Sequence, residues 1–133
     1  MEIICALLVM AVLAVFFTPR GWVEAPVAQE AEVLRSHLRY AESLAMANNT
    51  ATWSVRLSAS SYALWRNNEL SPIPFPGENS AHHTLASGVQ IAGGSRVIPF
   101  NQFGAPENNH VIVLGDGRRS RPVTMYGFTG FVP

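Results

Sequence analysis

Four histidines, one cysteine and a cluster of arginines are the residues of this 133-residue chain whose types suggest chemistry. The histidines are His37, His82, His83 and His110. His82 and His83 are neighbours, whereas two ligands on one face need i,i+2 spacing on a strand or i,i+4 on a helix. The pair is therefore expected not to share an ion. Cys5 is the single thiol, so an intrachain disulfide and a thiolate metal cluster are both unavailable. No Gly-x-Ser-x-Gly elbow and no P-loop occur. "GDGRRSR" (Gly115–Arg121) reads as a hairpin turn rather than a phosphate cradle, because no helix follows it. Its Arg118, Arg119 and Arg121 are the candidate phosphate contacts, with Arg96 elsewhere, if the chain holds nucleic acid. The plainer reading is that they keep an exposed turn soluble. The expectation is no catalysis, no metal, no cofactor and no small-molecule substrate.

Bulk properties narrow the classes further. Nine Lys+Arg balance nine Asp+Glu, so no whole-chain electrostatic grip on nucleic acid is indicated. The length fits one domain plus an extension. Apolar residues make up 48%, concentrated at the N-terminus.

That N-terminus, "MEIICALLVMAVLAVFFTPRGW", sets a carboxylate, Glu2, at the head of a fifteen-residue apolar run, Ile3 to Phe17. A cleaved secretory signal wants a basic start and a small-x-small end, and neither is present. A membrane crossing wants ~20 apolar residues, and fifteen at ~1.5 Å each reach only ~22 Å. The nearest cation, Arg20, follows the run rather than preceding it. A soluble core helix needs a wet face, which this segment lacks. Pro19 then breaks or kinks the chain.

Pro26 opens a second helical segment, a position where proline is welcome. Val27, Ala31, Leu34, Leu38, Ala41 and Ala45 recur with alternating steps of four and three, which is an amphipathic stripe. Glu30, Glu32, Arg35, Arg39 and Glu42 lie off the stripe and read as a solvated face, with Asn48-Asn49 closing the helix. Past Thr50 the period changes to two. Trp53, Val55 and Leu57, then Tyr62 and Leu64, suggest two strands about a Ser58–Ser61 turn. "SPIPFPGENSAHH" is read as a loop. Further short strands are expected around Gly93-Gly94 and Gly115-Asp116-Gly117, the latter a hairpin signal. One helix followed by short strands is an α+β layout.

The separation of Glu2 and Pro19, seventeen positions, resembles the mature N-terminus of type IV pilins and type II secretion pseudopilins. "LRSHLRYAESLAMANN", "VIPFNQFGAP" and the closing "HVIVLGDGRRSRPVTMYGFTGFVP" are similar to the helix, strand-turn and final hairpin of the GspH/FimT minor pseudopilins. The resemblance implies a long kinked helix, apolar then amphipathic, against two small antiparallel sheets. Residues 1–25 would be the membrane and filament-core segment, and 26–133 the periplasmic globular domain. It also implies a leader and about three mature residues ahead of Met1, with a methylated terminus. Glu2 would neutralise the terminal amine of a neighbouring subunit, and Pro19 would mark the kink. Partners would be other pilin or pseudopilin subunits, the assembly platform and inner-membrane lipid. Some FimT-branch members hold DNA through a basic C-terminal motif. Here that place reads Gly130-Phe131-Val132-Pro133, so nucleic acid is not the expected partner.

Overall fold

The computed structural model describes residues 2–17, 26–48 and 50–133. Helix α1 spans Glu2–Phe17 and helix α2 spans Pro26–Ala47. The expected kink at Pro19, and the continuity of the two helices, lie outside the described residues, as does Asn49. Helix α1 has sixteen residues, and no described helix is long and apolar enough to cross a membrane. At ~1.5 Å per residue it reaches about 24 Å.

Helix α2 begins at Pro26 and buries all six stripe residues, Val27, Ala31, Leu34, Leu38, Ala41 and Ala45. Glu30 and His37 are buried with them. This corrects the solvated-face reading of Glu30. It lies one residue before Ala31 and four before Leu34, and the cover over this end of the helix is wide enough to enclose it.

Eight strands follow: β1 (Trp53–Leu57), β2 (Ser61–Arg66), β3 (Glu69–Leu70), β4 (His82–Thr84), β5 (Gln90–Ile91), β6 (Arg96–Phe100), β7 (His110–Gly115) and β8 (Ser120–Met125). They form two antiparallel sheets. The larger runs β3-β2-β1-β6, with β4 also paired to β2, and the smaller runs β5-β7-β8. Strand β1 buries Trp53, Val55 and Leu57 on alternate positions, as its period of two requires. Ser58 and Ser61 close the β1–β2 turn through backbone and hydroxyl bonds. Asn67 and Asn68 both have positive φ, which gives the β2–β3 hairpin a two-residue turn of the primed kind. The His82–Thr84 strand was not expected within the proline-rich loop; its backbone pairs with Ser61–Ala63. Gly93-Gly94 is a turn between β5 and β6, as expected, but the two strands do not pair with each other. Strand β5 pairs with β7 and β6 with β1, so the glycines carry the chain from one sheet to the other.

Helix α2 packs against β1, β7 and β8, so both sheets meet over one stripe. The core joins that stripe to Trp53, Val55, Leu64 and Ile98 of the larger sheet and Ile112, Leu114, Val123 and Met125 of the smaller. Leu38 sits inside it, 1% exposed. Leu38→Ala should lower stability by ~2–5 kcal/mol, through lost burial plus a cavity. A urea melt checks this; an unchanged midpoint would mean the stripe is not the core.

Candidate functional site

The residues singled out in the sequence lie apart from one another. Glu2 stands in the first turn of α1, where the helix dipole favours a negative charge. Behind it Ile3, Ile4, Leu7, Leu8, Val9, Met10 and Val12 are 47–76% exposed. Arg118, Arg119 and Arg121 belong to the β7–β8 hairpin. The Asp116 carboxylate accepts the backbone N–H groups of Arg118 and Arg119, at 2.9 and 2.7 Å, and so shapes the turn. Those bonds hold its carboxyl below the usual range. Arg119 and Arg121 line a cleft of about 380 Å³ with Arg35 of α2. Glu32 lines the same cleft and pairs with Arg35, which offsets part of its positive charge.

A polar cluster that sequence reasoning did not assemble lies between α2, β2, β4 and the Ser71–Ala81 loop. Glu30 and His37 lie seven residues apart on α2 and face the same way. Tyr62 on β2 stands opposite His83 on β4. Glu78 comes from a turn in the loop, where its N–H bonds the Phe75 carbonyl. His83 bridges two carboxylates: Nε2 to Glu30 at 2.8 Å, and Nδ1 to Glu78. The other Glu30 oxygen accepts the Ala86 N–H at 3.0 Å. His37 stacks on Phe75 at 4.2 Å, and its Nδ1 hydrogen-bonds the Tyr62 hydroxyl at 2.7 Å.

Each titrating group responds to these neighbours. Burial pulls the His83 pKa down, but the Glu30 and Glu78 bonds and charges outweigh it, so it ends raised. Burial lowers His37, which favours a neutral ring. Burial, then the charges of Glu30 and Glu78, push the Tyr62 hydroxyl up, so it stays protonated. Alternation along β4 leaves His82 exposed and turns His83 inward, so the two rings face opposite sides of the strand. The missing signal was long-range: His83 finds its partners 46 and 53 residues away, at His37 and Glu30.

A second polar feature lies where the C-terminal tail crosses α2. Arg39 donates to the Val132 carbonyl at 2.9 Å, which straps the tail to the helix. Gly104 and Gly130 allow this closeness. Both have positive φ, and a Cβ on Gly104 would stand 2.7 Å from the Glu42 carbonyl. Beneath them Glu42 Oε1 is buried with no hydrogen-bond partner among the described residues. Burial pushes the Glu42 carboxyl up to about 7, with Arg39 opposing. Its place on a freely solvated face is thus corrected.

An acid with a raised folded-state pKa costs no stability below its unfolded value. The cost grows as pH rises from about 4.5 through about 7. The full shift corresponds to roughly 3 kcal/mol for a dry site. Glu42 is half-buried and partly screened, so about 1 kcal/mol is expected. Glu42→Gln should therefore stabilise the domain by about 1 kcal/mol at pH 8 and leave it unchanged near pH 4, read from paired urea melts. A gain that persists at acid pH would remove the charge as the cause.

No protein-family model matches the chain. No curated protein matches it. Among solved structures, it is similar to the crystal structure of the Pseudomonas aeruginosa (strain PAO1) type IV minor pilin FimU. The match has a TM-score of 0.56 and covers 80% of this chain and 86% of that one, at 13% identity. The likeness is one of fold: this chain has a pilin-like arrangement of a long helix against antiparallel sheets.

Proposed function

We propose that this chain is a minor pilin or pseudopilin of the GspH/FimT type. It joins a type IV pilus or type II secretion pseudopilus and assists assembly, near the tip. The observation that carries this reading is the contrast between its two helices. The stripe of α2 is covered by the chain's own sheets, whereas the side chains of α1 described from Ile3 to Val12 are apolar and exposed. Among the described residues, no α1 side chain belongs to the core cluster. An exposed apolar helix attached to a closed domain suits a subunit that waits in a membrane and then packs into a helical bundle with its neighbours. The pilin-like fold supports the same reading.

In this account α1 anchors the subunit once through the inner membrane, with residues 26–133 in the periplasm. Partners are other pilin or pseudopilin subunits and the assembly platform. The role is mechanical rather than enzymatic. Glu2 pairs with the terminal amine of the adjacent subunit, because a carboxylate among packed apolar helices is tolerable only when paired.

A second reading, DNA capture for transformation, draws on one observation: Arg35, Arg119 and Arg121 converge on one cleft. Glu32 in that cleft and the zero net charge weigh against it.

Glu2→Ala in the full chain should leave membrane insertion intact and sharply reduce recovery in sheared filament fractions. Undiminished recovery would remove the pairing role. Steeply salt-dependent DNA binding by the wild type, lost on replacing Arg118, Arg119 and Arg121 by alanine, would favour the second reading.

A further inference from the structure

We propose that His37, Glu78 and His83 form a binding site for one divalent transition-metal ion of the zinc type. Their ligand atoms all lie within 4.8 Å of one another. Three separate elements supply them: α2, the Ser71–Ala81 loop and β4. Two imidazoles and one carboxylate make a nitrogen-rich donor set that suits zinc, cobalt or nickel, whereas calcium and magnesium prefer oxygen.

The surroundings are built as an ion site needs. A ligating imidazole is commonly oriented by a carboxylate on its other ring nitrogen. Glu30 takes that place on His83, at 2.8 Å from Nε2, while Nδ1 faces Glu78. Glu30 is itself fixed by the Ala86 N–H. The plane of His37 is set by stacking on Phe75 and by the Tyr62 hydroxyl. A tetrahedral ion with bonds of about 2.0–2.2 Å holds its donors about 3.3–3.6 Å apart, so the wider separations must close while Glu78 swings off its hydrogen bond to His83 Nδ1 and that pair opens. Glu78 supplies the movement and the entry path, being on a turn with its side chain 24% exposed, between exposed Gly77 and Asn79. Three protein ligands leave the fourth position to water or to a group from another molecule. The ion would tie α2 to the loop and to β4, at the flank where the polar cluster interrupts the apolar core.

The test uses the full chain in mild detergent with Cys5→Ser, which removes the single thiol. Calorimetric titration with Zn²⁺ should give one ion per chain at micromolar affinity or tighter. Co²⁺ should give visible absorption bands of tetrahedral intensity, and Zn²⁺ should raise the melting temperature, while Ca²⁺ and Mg²⁺ do neither. Glu78→Gln, on the surface turn, should weaken Zn²⁺ at least tenfold with an unchanged far-ultraviolet circular dichroism spectrum, and His83→Gln should do the same. His82→Gln, whose side chain faces outward, should leave binding unchanged. Absence of stoichiometric Zn²⁺ binding by the parent chain would overturn the proposal, as would binding that survives Glu78→Gln or that is lost with His82→Gln.

Discussion

The burial of one helical stripe governs the rest of this fold. Val27, Ala31, Leu34, Leu38, Ala41 and Ala45 present small and large apolar groups along some five turns of α2. No single strand pair is wide enough to cover that length. The chain lays β1 over it from the larger sheet and β7 and β8 from the smaller, so the two sheets need no hydrogen-bonded strand in common. Small residues in the stripe let the sheets come close. Ala41 is fully buried, and near it Gly104 and Gly130 bring loop and tail backbone onto Glu42.

How much of this was legible follows from the range of each interaction. The stripe of α2 could be read because its period is local, and all six residues are buried as expected. The alternation of β1 and the β7–β8 hairpin were local in the same way, and the α+β layout followed from them. Strand β4 was hidden because its propensity signal is weak and its partner, β2, lies some twenty residues earlier. The role of Gly93-Gly94 was hidden because the local pattern of a turn does not say which sheet the next strand joins. The two corrected acids have one explanation. Helical spacing ranks Glu30 and Glu42 as flank residues, but the loop and tail that cover those flanks come from far along the chain. Pro19 and its kink fall outside the described residues.

The polar cluster and the apolar helix divide the molecule into parts with different needs. Glu30, His37, Tyr62, Glu78 and His83 meet one another's hydrogen-bonding demands inside the domain. Buried polar groups are tolerated on that condition. The large apolar side chains of α1 described from Ile3 to Val12 have no such internal solution, being 47% exposed or more. Phe103, Phe128 and Phe131 around the tail are exposed as well, at 61–84%. That the chain closes one core and leaves other apolar surfaces open is the observation behind the assembly role proposed above, while the likeness to a pilin is one of fold.

The central claim is that residues 26–133 close their own core while α1 serves contacts beyond it. The most direct measurement is light scattering with thermal melting on residues 26–133 expressed alone. A monomer with one cooperative transition, matched by the full chain in detergent, is the predicted result. Aggregation, or a broad non-cooperative melt rescued only by restoring residues 1–25, would contradict the account, because α1 would then belong to the core.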